Sequence, residues 1–211
     1  MGNKKIIGLT GYYCAGKNHV ANLLEKRLLP VLDVDKLGHK VIETEKERIL
    51  ERFGKDILGK DGLIDRKCLG ARVFGKPWEL AALEEIIHPR VNQETLAWIN
   101  TRKEKACAIN AALLHRSSAF NILDAVIIVE APAIIRLFRA RKRDCLPWTA
   151  LLKRMESQSK FNSQYFKGKT DIYRVSNPSV CSTSGRFGFL NNWRKLESRI
   201  DNILSLQGIE F

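Results

Sequence analysis

The chain is short of acidic residues. It carries 23 Asp+Glu against 36 Lys+Arg over 211 positions, a formal net charge of +13. A field of that sign gathers anions, so the charge narrows the natural partner to an anionic one and no further. Nucleic acid, a membrane surface and a phosphorylated metabolite all remain. Paired cysteines are missing too. Cys14, Cys68, Cys107, Cys145 and Cys181 are odd in number, widely spaced and form no CxxC, which argues against a disulfide framework or a zinc site and for a reducing compartment. Apolar runs fall far short of the roughly 18 residues a membrane helix needs. No long apolar leader with a cleavage site follows Met1 to Lys5, so the expected location is the cytoplasm. There is no internal repeat and no low-complexity segment. What remains is ordinary for one soluble globular domain: 45% hydrophobic and 28% charged residues.

The apolar, β-branched run Lys5-Ile6-Ile7-Gly8-Leu9-Thr10 stops at Gly11 and reads as a buried strand. Val20, Leu23, Leu24 and Leu28 recur at helical spacing, so a helix is expected from Asn18 to Leu29, ended by Pro30. Val31-Leu32-Asp33-Val34-Asp35 reads as a second strand with carboxylates at its end. Residues 36–104 are mostly helical in pattern. Further strands are expected at Cys107 to Leu114, Asp124 to Val129 and Ile172 to Ser176. Helices are expected at Ala133 to Arg141, Trp148 to Lys160 and about Asn191 to Leu206, with a surface loop from Ser176 to Gly188. Alternating strands and helices predict an α/β fold with a parallel sheet covered on both faces.

Between the first strand and helix lies Gly11-Tyr12-Tyr13-Cys14-Ala15-Gly16-Lys17-Asn18, which matches GxxxxGK[ST] except at its last position. The glycines permit tight turns, the loop N–H groups and the helix amino terminus attract phosphate, and Lys17 adds a full charge. Asn18 stands where Ser or Thr usually puts a hydroxyl on Mg²⁺. Its side-chain carbonyl oxygen is a possible ligand, longer and not equivalent. Tyr12 and Tyr13 fill positions where small residues are usual. His19 reads as a surface helix residue, and Trp98, Trp148 and Trp193 as core or half-buried packing.

Ile7-Gly8-Leu9-Thr10-Gly11 with Gly16-Lys17 resembles the opening of the dephospho-coenzyme A kinases. Asp33-Val34-Asp35 resembles their DxD. Gly62-Leu63-Ile64-Asp65-Arg66 through Leu69, Val73 and Phe74, and then Leu83-Glu84-Glu85-Ile86-Ile87-His88-Pro89, resemble their middle segments. Arg139, Arg143-Asp144 and Val175-Ser176-Asn177 resemble their lid arginines and late V-I-x-N. The likeness runs over roughly residues 5–178.

It implies a single P-loop kinase domain over 1–211: a five-stranded parallel sheet flanked by helices, an acceptor-binding helical region near 36–104 and a lid near 139–170. It also implies transfer of the ATP γ-phosphoryl group, with Mg²⁺, to the ribose 3′-hydroxyl of dephospho-coenzyme A. Carried over, Asp35 is the general base, and Asp33 supports it or helps place Mg²⁺ with Asn18. Arg139 and Arg143 reach the transferring group, and Gly11 to Asn18 hold ATP with Asn177 near adenine. Thr10, Asp35 and His88 face the acceptor.

Other readings compete. Asp33 and Asp35 would also serve as caps of the next helix. Arg136, Arg139, Arg141, Lys142 and Arg143 would also make a solvated basic face. His88 before Pro89 would also fix a turn. Where the family has P-L-L-F-E, this chain has Ala112-Leu113-Leu114-His115-Arg116. A kinase of another nucleotide or nucleoside, or a weakly catalytic basic nucleotide-binding protein, therefore stays open. No RNA- or DNA-binding motif appears, so nucleic acid is not the expected partner.

Overall fold

The structure, a computed structural model, describes residues 4–156, 170–178 and 186–210. It divides into two compact units, one of residues 1–32 with 102–211 and one of residues 33–101.

The first unit is built on five strands, β1 (Lys5–Gly11), β2 (Val31–Asp33, whose last residue opens the second unit), β3 (Ala106–Asn110), β4 (Ala125–Glu130) and β5 (Asp171–Ser176). Their order is β2-β3-β1-β4-β5 in a parallel sheet. Leu9 pairs with Asn110 on one side and with Ile127 on the other. A strand hydrogen-bonded on both sides and covered on both faces must be apolar throughout. Accordingly Ile7, Leu9, Ile109, Ile127 and Ile128 are fully buried, each worth about 1.5–3 kcal/mol of transfer free energy. The carboxyl ends of parallel strands gather along one edge, and the loop after the central strand β1 opens there.

Helices α1 (Lys17–Glu25) and, after the second unit, α6 (Ala133–Asp144), α7 (Trp148–Glu156) and α8 (Arg186–Leu206) complete this unit. Val20, Leu23 and Leu24 of α1 share a core with Leu196, Ile200 and Ile203 of α8 and with the β1 side chains Ile7 and Leu9. Helix α1 stops earlier than its apolar spacing predicts. Leu28 takes a left-handed φ of 57° and Leu29 N–H turns back to Leu24 O at 3.2 Å, so a backbone turn closes the helix before Pro30 can.

The second unit is helical: α2 (Val34–Thr44), α3 (Lys46–Phe53), α4 (Arg66–Val73) and α5 (Pro77–Thr101). Its core joins Ile42, Ile49, Phe53, Ile57, Ile64, Leu69, Val73 and Leu83. Asp65 caps α4 by accepting from Lys67 N and Cys68 N.

Several boundaries differ from the sequence reading. Strand β2 ends at Asp33, so Asp35 lies in the first turn of α2 and not in the strand. Asp33 is that helix's cap, accepting from Lys36 N, and capping wins because the side chain satisfies an otherwise unpaired N–H. Strand β3 ends at Asn110, and Leu114–Arg116 is a short 3-10 turn. His88 and Pro89 lie inside α5 and fix no turn. Packing of Leu83, Val91 and Ile99 carries the helix past the hydrogen bond that proline removes. Of the loop expected over Ser176 to Gly188, residues 179–185 lie outside the described residues, and α8 already begins at Arg186. The expected helix to Lys160 is described as far as Glu156.

Candidate active site

The loop Gly11–Asn18 joins β1 to α1. Tyr12 N–H donates to Val129 O at 3.2 Å, extending the β1–β4 ladder by one residue. Ala15 N–H then closes a turn on Tyr12 O at 2.9 Å. A Cβ on Gly11 would lie 2.7 Å from Val129 O, so only glycine fits. Gly16, the residue before α1, has φ 97°, and a Cβ there would lie 2.2 Å from Asn177 Nδ2. Between them Cys14 adopts a left-handed φ of 58° despite its side chain. Burial raises its thiol pKa more than the Arg143 charge lowers it.

The loop is held from below. Arg139, on α6, donates through Nη1 to Cys14 O at 3.3 Å and Ala15 O at 3.0 Å, and through Nη2 to Asn177 O at 3.0 Å. Asn177, 4% exposed, donates its Nδ2 to the same Ala15 O at 3.0 Å. Its own N–H reaches Glu130 O at 2.7 Å, anchoring it to the end of β4. Arg139 and Asn177 thus hold the loop's carbonyls in place, and the successive N–H groups of such a loop are the kind that bind an anion. Burial lowers the Arg139 pKa, but a guanidinium stays charged in a protein.

The two loop tyrosines have partners on α6 as well. The Arg136 guanidinium lies over the Tyr12 ring at 4.8 Å and that of Arg143 over Tyr13 at 5.0 Å. Tyr13 Oη also bonds Asp144. Asp144 accepts from Arg143 Nε at 2.7 Å and from Arg154, on α7, at 3.3 Å. The Arg143 hydrogen bond, ahead of burial, holds the Asp144 carboxyl below its ordinary range, and the same bond pushes Arg143 well up. Arg136, Arg139 and Arg143 thus form one face of α6 laid along the loop, where the sequence allowed a solvated basic face. Arg136 Nε and Nη1 are buried without a hydrogen-bond partner among the described residues.

At the other end of the loop, Asn18 Oδ1 accepts from Asn110 Nδ2 at 3.2 Å. Asn110 closes β3, is 1% exposed, and keeps a buried Oδ1 with no hydrogen-bond partner among the described residues. An amide oxygen has two lone pairs, so Asn18 Oδ1 retains one. Carbonyl oxygens suit a hard divalent cation; exposed Asn18 carries one, whereas Asn110 turns its amide nitrogen to Asn18 and keeps its oxygen enclosed. Thr10 is buried, with Oγ1 donating to Ala112 O at 3.3 Å.

Lys17 is the first residue of α1 and is half-buried. His19 is not a free surface residue. Its ring meets Trp193 edge-on at 4.1 Å, and its Nε2 is buried without a hydrogen-bond partner among the described residues. Trp148 in contrast is 44% exposed, in edge contact with Phe138 and beneath Arg141. Asp33, Asp35 and His88 belong to the other unit. There Asp33 accepts from Lys36 N at 3.0 Å, Asp35 is exposed in the first turn of α2, and His88 is half-buried on α5.

The sequence reading missed Asn110. Its only signal is a polar residue ending the otherwise apolar strand Ala106-Cys107-Ala108-Ile109-Asn110. Arg136 was visible only as one of a basic cluster.

A family model described as dephospho-CoA kinase matches residues 5–172. A dephospho-CoA kinase of Treponema pallidum is 30% identical over 97% of this chain and 96% of its own length. One from Shouchella clausii is 33% identical over 79% of this chain and 86% of its own. Among solved structures, a Thermus thermophilus protein superposes with a TM-score of 0.74 at 27% identity, covering 92% of this chain and 96% of that one. A Campylobacter jejuni dephospho-CoA kinase, at 24% identity, gives 0.61 over 95% and 97%, and supports the fold.

Proposed function

Since the chain belongs to the dephospho-CoA kinase family, we propose that it transfers the γ-phosphoryl group of ATP to the ribose 3′-hydroxyl of dephospho-coenzyme A, giving coenzyme A and ADP. The observation that carries the site reading is the braced loop. Arg139 holds the Cys14 and Ala15 carbonyls and Asn177 the Ala15 carbonyl, which supports reading the loop as the seat of a phosphate chain.

In the transfer, the bond between the γ-phosphorus and the β,γ-bridging oxygen breaks as a bond from the 3′-oxygen forms. The hydroxyl proton goes to a carboxylate, which we assign to Asp35. Asp35 stands exposed in the first turn of α2, and Asp33 caps that same helix. A positioned base of this kind contributes roughly 10²–10⁴-fold. Lys17 and the loop amides bind and orient the β- and γ-phosphates, and charge neutralisation there is the larger part of catalysis. Arg143, paired with Asp144 and lying over Tyr13, is read as the lid residue that reaches the transferring group. Residues 33–101 are read as the acceptor-binding region, with His88 within it, and α6 with α7 as the lid. Thr10 fixes the loop entry through Ala112, and Asn177 serves the nucleotide from beneath the loop.

A divalent cation bound with ATP would spread charge between the β- and γ-phosphates. Asn18, exposed in the first turn of α1, is the residue of this loop that would hold it, and Asp33 is read as helping to place it. No helix among the described residues is long and apolar enough to cross a membrane.

Mass spectrometry of dephospho-coenzyme A incubated with Mg-ATP and the protein tests the reading. A product heavier by one phosphoryl group, absent with folded Lys17→Ala, is expected. Asp35→Asn should slow turnover by roughly 10²-fold or more with ATP affinity nearly unchanged. An unmodified acceptor overturns the substrate assignment, and equal losses in rate and affinity overturn the base.

A further inference from the structure

The far end of α6 is tied to the phosphate loop by a tyrosine that stands where small residues are usual. Tyr13 Oη donates to Asp144, the last residue of α6. Asp144 also accepts from Arg143 Nε at 2.7 Å, from Arg143 Nη2 at 3.2 Å and from Arg154 Nη1 at 3.3 Å. The Arg143 guanidinium lies over the Tyr13 ring at 5.0 Å. Arg143, Asp144 and Arg154 belong to α6 and α7, so bonds among them carry Arg143 along with the helices and fix nothing relative to the loop. Of these four residues only Tyr13 is part of the loop. Arg139 holds the middle of α6 to the loop through Ala15 O. Arg143 lies a turn further on, close to Cys145, whose left-handed φ of 54° ends the helix. Arg143 also keeps donor capacity. Its side chain is 60% exposed, and its Nη1 donates to none of the described residues, Nε and Nη2 being turned to Asp144.

We propose that Tyr13 is the positioning residue for Arg143: its hydroxyl, through Asp144, and its ring face hold the guanidinium beside the phosphate loop, where Nη1 meets an anionic oxygen of the transferring group. The proposal rests on the lid reading of Arg143 above. Its physical basis is preorganisation. A long side chain loses rotamer freedom when it is ordered. A donor placed before the reaction stabilises developing charge without reorganising at the moment of transfer. The ring by itself attracts an exposed cation only weakly, whereas the hydrogen bond to an ionised Asp144 is charge-assisted and stronger. The hydroxyl is therefore the larger part of the effect. The Tyr13 side chain acts through Arg143 and not on the substrate, and its main-chain amide stays in the loop whatever side chain it carries. Nucleotide affinity and turnover should separate accordingly.

Steady-state transfer from Mg-ATP to dephospho-coenzyme A, with ATP affinity measured alongside by titration, tests this. Tyr13→Phe keeps the ring and should lower kcat by about three- to tenfold with ATP affinity unchanged. Tyr13→Leu loses ring and hydroxyl and should lower kcat by about tenfold or more. Both losses should vanish in an Arg143→Ala background, where nothing is left to position. A Tyr13 that merely packs the loop would cost the same in both backgrounds, and that result overturns the proposal. Natural turnover by Tyr13→Phe overturns it too, as does a loss of ATP affinity large enough to account for the slower rate. If Tyr13→Leu does not fold, Tyr13→Phe in the two backgrounds decides. Arg143→Ala turning over at the natural rate is a distinct failure: it removes the lid reading itself, and the proposal with it.

Discussion

His19 shows how a residue's neighbours decide its chemistry. On a helix surface it would titrate near pH 6.5. Here burial first, and the Lys26 charge second, lower its pKa in the folded chain. The unfolded chain therefore takes up a proton near pH 6.5, which the folded chain takes up only at lower pH. Its effect on stability is absent above that range, and stability declines as pH falls below it. His19→Gln should flatten this decline between about pH 7.5 and 5, read as the change in Tm relative to the natural chain. Parallel Tm curves would show that His19 does not titrate differently on folding. Neither the burial nor the contact with Trp193 was legible in the sequence. The two residues are 174 positions apart in chain order, and only the packing of α1 on α8 joins them.

At the scale of elements, α6 is the helix that sets the phosphate loop. Its three arginines at positions 136, 139 and 143 fall on one face because three- and four-residue steps share a face of a helix. That much the sequence shows. It does not show that the face meets a loop more than a hundred residues earlier. Arg139 is the centre of the contact, bonding Cys14 O, Ala15 O and Asn177 O. A lysine has one nitrogen and no rigid fork, so Arg139→Lys should weaken ATP binding by about tenfold or more, from charged hydrogen bonds worth roughly 1.5–3 kcal/mol each. Asn177→Ala should act in the same direction. Because both hold Ala15 O, the double variant should lose less than the sum of the singles. Strictly additive losses, measured by ATP titration, would show two independent supports.

At the scale of the molecule, the net charge of +13 makes its own prediction. Both ATP and dephospho-coenzyme A are polyanions, and a positive field raises their encounter rate. Raising salt shortens the Debye length from about 10 Å at 0.1 M to roughly 3 Å at 1 M. The ratio kcat/KM should then fall several-fold between those limits while kcat changes little. A salt-independent kcat/KM would show that the charge serves something other than substrate capture.

The sequence by itself determined the α/β alternation, the apolar strand β1, the glycine-bounded loop after it and the lysine that opens α1. These are local properties: hydrophobic period, turn residues and a motif of eight consecutive positions carry them. Tertiary structure alone decided that Asp33 caps α2 while Asp35 moves into the helix, that His88 and Pro89 sit inside a continuous α5, and that Arg139 and Asn177 meet under the loop. It also brought Asn110 to Asn18. Each of these depends on pairing between distant segments or on which of two backbone geometries satisfies more hydrogen bonds. Neither is written in a residue's immediate neighbours, because the energy that decides it comes from burial and strand register across the whole sheet.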